Sequence, residues 1–366
     1  VSAATFVFGQ TYPFQKYTTA DGLSHAAVRK VFQDSRGVLW FGTQEGVDSY
    51  DGRAFREYLK FGPDSYPVYE IFEDKSGILW LGTYGFGLVK LLPSGSTQPV
   101  KSPGDTLLQS CVTAITEDAH GTIWVGSDDG LFSFRPDGGR TRVHGLDGAG
   151  EIYALVADPG GTIWVGTHRG LFAGRVTNRT SMGFRQILQR PTRSLLLRRN
   201  GDVLAGTSGG GNDQDGFVCR VTGGKPDTLL SYAATKSLIK AQSLFEDAEG
   251  VLWIGTGYGL HVIRNGRITH LQTESGLPNE NIYDIMQDHE GTMWFGTENG
   301  VVKLARPLVV NYGMKEGLTG YAVLSEVQDR DGNFWFGMWN GLNRIDRRRG
   351  VTQWSQMSGL PHHTVR

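Results

Sequence analysis

Asp34-Ser35-Arg36-Gly37-Val38-Leu39-Trp40-Phe41-Gly42-Thr43-Gln44-Glu45-Gly46-Val47 sets the pattern for the whole chain. Its tryptophan returns at Trp80, Trp124, Trp164, Trp253, Trp294 and Trp335, and Leu204 takes the same slot once. The spacing stays near ~40 residues, a period that marks a repeat architecture. Within one copy, Ile71-Phe72-Glu73 is a short apolar run that ends at Asp74. Asp-x-x-Gly follows, and then a second apolar run that carries the tryptophan. Asp and Gly are turn formers, so the two runs read as a β-hairpin. Gly-Thr-x-x-Gly makes the next turn, into a third strand at Gly46–Tyr50. Asp51-Gly52 turns into a fourth at Phe55–Tyr58. Four antiparallel strands in about 40 residues make one propeller blade.

The fold class is therefore all-β, a β-propeller of four-stranded antiparallel blades with eight repeats. Two closures fit. Seven blades form the ring and the eighth begins another module after about residue 305, or eight close with the Tyr12–Tyr17 strand pairing with the last blade. Closure removes the open sheet edges that a linear stack would leave. The motif tryptophans read as wedges between sheets, and the repeated aspartates and glycines as turn geometry. The fifth repeat has lost both aspartate and tryptophan, and carries a long polar loop at Ser208–Gly216.

Composition narrows the function. A formal net charge of −1 over 366 residues argues against nucleic-acid or membrane-surface binding by bulk charge. The two cysteines, Cys111 and Cys219, fall in different blades and form no metal motif. Val1–Gln10 is small and apolar with no charged side chain, and reads as the tail of a secretory signal peptide over residues 1–11, with the propeller running over 12–366. The lead-in Asp21-Gly22-Leu23 recurs at Gly276-Leu277, Gly317-Leu318 and Gly359-Leu360. The last copy predicts a further inner strand beyond Arg366. No Gly-x-Ser-x-Gly, Walker loop, His-Glu-x-x-His or Cys-x-x-Cys is present. No catalytic residue, metal or cofactor is expected.

The Gln33–Val47 pattern, its copies and the Asp21-Gly22-Leu23 lead-in resemble the two-component regulator propeller repeat, from about Tyr12 to Arg366. The resemblance implies the periplasmic sensor region of an inner-membrane receptor, often a hybrid histidine kinase, or one with a diguanylate-cyclase or other output. It implies a seven-bladed ring, often followed by a second, then an immunoglobulin-like domain, a membrane helix and the output, with a helix-turn-helix at the end of many members. Several members sense oligosaccharides, and a homodimer of the full-length receptor is compatible with this. The family's motif residues are structural, so no catalytic residue carries over.

In a propeller, one face collects the loops between second and third strands and those leading into each inner strand. The variable residues of Gly-Thr-x-x-Gly belong there: Gln44-Glu45, Tyr84, Asp128-Asp129, His168-Arg169, Tyr258, Glu298-Asn299 and Trp339-Asn340. The inner-strand starts add Arg29, Tyr69, Tyr153 and Tyr283. Aromatics mixed with carboxylates and amides suit sugars, because flat rings cover C–H faces while planar polar groups bond hydroxyls. The leading expectation is a sensor that binds an oligosaccharide or similar small ligand here. The alternatives are a propeller enzyme of the streptogramin-lyase type, which needs an acid/base or metal cluster at the channel mouth, and a pure protein-interaction scaffold, which needs a plugged flat face.

Overall fold

The computed structural model describes residues 13–61, 66–100, 110–176, 182–209, 216–235, 239–304, 314, 317–320, 322–346 and 350–365. Both the N-terminal stretch read as an export signal and residues 210–215 of the fifth-repeat loop lie outside them. The described strands form eight four-stranded sheets. The chain divides into two compact units, one of Tyr12–Arg306 and one containing Pro307–Arg366.

In the first unit, β1 is Phe14–Tyr17, and blade one is β2 (Val28–Gln33), β3 (Leu39–Thr43), β4 (Val47–Tyr50) and β5 (Phe55–Leu59). Blade two follows as β6 (Val68–Glu73), β7 (Leu79–Thr83), β8 (Leu88–Leu91) and β9 (Thr97–Pro99). Blade three is β10 (Val112–Glu117), β11 (Ile123–Ser127), β12 (Gly130–Phe134) and β13 (Arg140–Val143). Blade four is β14 (Ile152–Ala157), β15 (Thr162–Thr167), β16 (Gly170–Val176) and β17 (Met182–Leu188). Blade five is β18 (Thr192–Leu197), β19 (Val203–Thr207), β20 (Phe217–Thr222) and β21 (Lys225–Ser231). Blade six is β22 (Ala241–Glu246), β23 (Leu252–Thr256), β24 (Gly259–Arg264) and β25 (Arg267–Leu271). Blade seven has β26 (Ile282–Gln287), β27 (Met293–Thr297) and β28 (Gly300–Leu304), and its fourth strand is β1.

That last pairing decides the closure. Phe14 to Tyr17 run antiparallel to Leu304 to Val301, so the earliest described strand completes the seventh sheet. It does not pair with an eighth blade, which removes the eight-bladed alternative. Each inner strand lies against the next, and β26 lies against β2. The glycine of every Gly-Thr pair explains the approach. Sequence reasoning placed it in a turn, but Gly42 is inside β3, and a Cβ there would stand 2.7 Å from the Val68 carbonyl of blade two. The same contact recurs at Gly82 with Val112 and at Gly166 with Thr192. At Gly296 the neighbour is Val28, 2.8 Å away, so blade seven meets blade one as any other pair meets.

The tryptophans wedge between sheets. Trp40 packs with Ile71, Leu79 and Leu81 of blade two, and Trp294 packs with Val28 and Phe41 of blade one. They also do what the sequence did not reveal. Each indole Nε1 donates to the aspartate six residues earlier, as in Trp124 to Asp118 at 2.9 Å and Trp294 to Asp288 at 2.7 Å. The other carboxylate oxygen accepts turn amides, such as those of His120 and Thr122. The fifth blade lost aspartate and tryptophan together. A lone buried indole N–H would be left unpaired, so the joint change to Arg198 and Leu204 avoids a penalty that either change alone would incur.

On the face where the inner strands end, a second device joins blades. The last inner-strand residue of one blade accepts the backbone N–H of the turn in the preceding blade. Glu73 takes Ser35 at 2.7 Å, Glu117 takes Lys75 at 3.0 Å and Glu246 takes Arg199 at 3.2 Å. Gln287 takes Ala248 and Gln33 takes His289, both at 2.8 Å, the latter across the closure. Blade four lacks it on both sides. Ala157 and Leu197 fill the acceptor slots, and Pro159 has no N–H to give.

The second unit holds one blade, β29 (Val323–Gln328), β30 (Phe334–Met338), β31 (Gly341–Ile345) and β32 (Val351–Trp354). Its own small core gathers Leu318, Met338 and Ile345. Val323, Val327 and Phe334 stand exposed on it.

Candidate functional site at the mouth of the ring

Each inner strand begins with a fully buried small or branched residue, Val28, Val68, Val112, Ile152, Thr192, Ala241 or Ile282. The next residue is extra. In all seven ring blades the pairing register slips at that point, between Val28 and Lys30 in blade one and at equivalent places in the others. An extra residue in one strand is a β-bulge, which bends the strand and re-aims a side chain. The seven bulged residues are Arg29, Tyr69, Thr113, Tyr153, Arg193, Gln242 and Tyr283. Sequence reasoning picked four of them. Thr113, Arg193 and Gln242 were missed, although the repeat places them in the same slot. In blade five the vanished Asp and Trp had hidden the alignment that marks Arg193.

The turn after the second strand reaches the same place. Its first residue donates its backbone N–H to the carbonyl just before the inner strand, as in Gln44 to Ala27 at 3.2 Å, Tyr84 to Pro67 at 2.8 Å and His168 to Glu151 at 2.9 Å. Asp128 to Cys111 and Glu298 to Asn281, both 3.3 Å, and Ser208 to Pro191 at 3.0 Å repeat it. The two loop families thus share one face.

Two groups of side chains meet across blade joints. The Arg29 guanidinium lies 3.9 Å from the Tyr283 ring centroid and 5.5 Å from that of Tyr69, and Tyr69 neighbours the half-exposed Tyr84 at 5.5 Å. Asn281 donates to the Tyr283 hydroxyl at 3.2 Å and to Glu298 at 3.1 Å, and accepts from Gln242 at 2.6 Å. On blades four and five, the Arg193 guanidinium lies 4.6 Å from the Tyr153 ring centroid, and its Nε donates to Ser208 at 3.2 Å. The Tyr153 hydroxyl sits 3.3 Å from His168 Nδ1. Burial raises the Tyr153 and Tyr283 pKa values, with Glu151 adding to the first, while Arg29 opposes the shift at the second.

One layer deeper, Lys30 Nζ is 2.8 Å from Glu70 and 3.6 Å from Asp284. Burial acts to lower the lysine pKa, but the Asp284 and Glu70 carboxylates outweigh it and hold the ammonium well above its ordinary range. Burial raises Glu70, with Lys30 opposing. This triad spans blades one, two and seven.

The remaining sequence candidates are dispersed. Glu45 pairs with Lys60 at 3.3 Å, and Asp128 accepts the Cys111 amide at 3.0 Å. Asp129 pairs with Arg142 at 3.2 Å. Arg169 and Asn299 are exposed, and the Tyr258 carbonyl accepts from His270 at 2.9 Å. Trp339 and Asn340 belong to the blade of the second unit, so they are not among the ring's own residues. Both cysteines are free thiols, Cys219 in the core of blade five and Cys111 half-buried beside Tyr84. Among the described residues no three His, Cys, Asp or Glu side chains group to hold a metal ion, and no helix is long and apolar enough to cross a membrane.

The two component regulator propeller family matches at residues 22–45, 62–85, 106–129, 145–169, 238–258 and 276–299. The chain carries that family's repeat in six places. Every matched segment runs from the approach to an inner strand into the turn that reaches the mouth. A curated relative, histidine kinase P4 of Formosa agariphila, is 39% identical over 54 residues, 15% of this chain and 4% of that protein. Among solved structures, the extracellular domain of the putative hybrid two component system BT4673 from B. thetaiotaomicron aligns with TM-score 0.68 and 22% identity, over 97% of this chain and 49% of its own. That of BT3049 gives 0.69 and 19%, over 95% and 50%. The chain thus spans about half the length of these two. A streptogramin B lyase aligns with TM-score 0.63 and 16% identity, over 81% of this chain and 99% of its own. At these identities the likeness is one of fold.

Proposed function

We propose that the ring is the ligand-sensing part of a bacterial two-component receptor, exposed on the periplasmic side, and that it binds an oligosaccharide at its mouth and signals to a histidine kinase of the same receptor. The observation that carries this reading is the circle of bulged residues. Three tyrosines and two arginines are turned onto one face by a backbone device that every ring blade repeats. Flat rings that are partly exposed and braced by neighbours suit the C–H faces of sugars, and the surrounding amides and hydroxyls suit their hydroxyls. The kinship with sensor propellers supports the signalling role.

A ligand shifts such a receptor only by binding its two states unequally, so a site spanning blade joints is well placed to act. We read the single blade of the second unit as the first of another ring, because its exposed Val323, Val327 and Phe334 are what a neighbouring blade would cover. Isothermal titration of the chain against an oligosaccharide panel tests the ligand reading. Saturable binding that is lost in Tyr153→Ala and Tyr283→Ala supports it. Binding that both variants retain would place the ligand elsewhere. Turnover of any panel member would favour a lyase instead.

A further inference from the structure

The charges at the mouth are not symmetrically used. Two of its carboxylates are ion-paired within the chain, Glu45 with Lys60 and Asp129 with Arg142, and two more accept hydrogen bonds, Asp128 from the Cys111 amide and Glu298 from Asn281. Among the described residues, neither Arg29 nor Arg193 pairs with a carboxylate. Arg29 Nε is buried with no acceptor, and Arg193 spends only its Nε, on a neutral hydroxyl. Both are nevertheless held in place. Tyr283 and Tyr69 flank one and Tyr153 lies under the other, so both guanidiniums are braced against aromatic rings. A stacked guanidinium is preorganised for planar, bidentate anions. Blades one and five lie on opposite sides of a seven-bladed ring, so the two forks stand apart across the mouth.

We propose that the mouth reads anionic groups on its ligand, so that the oligosaccharide it takes carries carboxylate or sulfate ester groups at separated positions. This rests on the reading of the mouth as a sugar site. Arg29 and Arg193 each take one anionic group in the plane of their fork. Tyr153, Tyr69 and Tyr283 brace the forks and face the sugar rings between them. The signal was faint in the sequence because a net charge of −1 does not tell where the individual charges lie.

The test uses the full 366-residue chain and three size-matched probes: a neutral tetraglucoside, tetragalacturonate and a sulfated tetragalactoside. Calorimetry is run in low and high salt. At least one acidic probe is expected to bind more than ~10-fold tighter than the neutral one, with affinity falling as salt rises. Arg193→Gln and Arg29→Gln should each weaken it by about 10- to 100-fold, within the range of a lost charge-assisted hydrogen-bond pair. Arg193→Lys should recover only part, because an ammonium lacks the fork. Circular dichroism and melting temperature confirm folding, and Arg56→Gln, an exposed residue on the fourth strand of blade one, serves as the control. Tight binding of the uronate alone or of the sulfate ester alone names the source of the anion. Equal binding of neutral and acidic probes overturns this inference and leaves the sugar reading intact. Failure of all three overturns both. Full competition by inorganic sulfate at equal concentration reduces the site to a bare ion trap and overturns the inference.

Discussion

At the scale of single residues, the motif works by coupling. Asp118 is tied to Trp124 through the indole N–H and to two turn amides, and both side chains are buried. Asp118→Ala should cost about 3 kcal/mol, because it strands the indole and the amides. Trp124→Phe loses the wedge's outer ring and leaves one carboxylate oxygen unpaired. A double-mutant cycle by urea unfolding should return a coupling of about 1–2 kcal/mol, and a coupling near zero would show that the two act separately. His261 offers a second test. It is fully buried on the third strand of blade six with neither ring nitrogen hydrogen-bonded, stacked 4.1 Å from its cross-strand neighbour His270. Burial first, and His270 second, lower its pKa from 6.5 to about 3. The unfolded chain therefore binds a proton that the folded one refuses. The stability this neutral histidine supports is complete above pH 6.5 and lost as pH falls toward 3, at up to about 1.4 kcal/mol per pH unit. His261→Leu should flatten that slope without loss at neutral pH. An unchanged acid limb would show that other groups set it.

At the scale of elements, the joints are unequal. Five of the seven carry the amide clasp described above, and the two around blade four do not. Hydrogen exchange should therefore find the amides of β14 and β18 opening before those of β6 and β26. Repair is predicted to be selective. Ala157→Glu faces the free N–H of Ala119 and should stabilise by about 1 kcal/mol. Leu197→Glu faces Pro159, which has no proton to give, and should not. Equal effects at the two sites in thermal melts would refute the clasp as the cause. Blade existence and strand order were legible in the sequence, because turn chemistry and the alternation of buried positions repeat with every copy. The bulge was not. It is set by the backbone pairing of two strands, and only one residue per blade, not constant from copy to copy, marks it. The mid-strand glycines were misplaced into turns for a related reason. Glycine signals a turn when φ is positive, but Gly42 is needed only because Val68 arrives from another blade.

At the scale of the molecule, the periodicity gave the ring but not its size. Eight repeats permit two closures, and the choice rests on which sheet receives Phe14–Tyr17, a long-range pairing that no local pattern encodes. Tyr17 holds that strand down among Trp294, Phe55 and Tyr50, with ring centroids 6.2, 5.2 and 6.0 Å away. Removing residues 1–17 should leave β28 as a bare edge, lower the melting temperature and promote association, because unpaired strands template other chains. A truncated chain that remained monomeric with an unchanged melt would contradict this. Of the mouth, the aromatic half was legible, and the arginine of the degenerate blade was not.

The register of that closing strand also has a mechanical meaning. Phe14 faces Leu304 and Tyr17 faces Val301, so the polypeptide enters and leaves the wheel side by side at one point of its rim. A pull that separates those two threads loads the seam one residue pair at a time, as a zipper is drawn, and not all its bonds together. The ring resists compression and heat through its whole circumference, yet traction applied at that one point meets only a single hydrogen-bonded rung at each step.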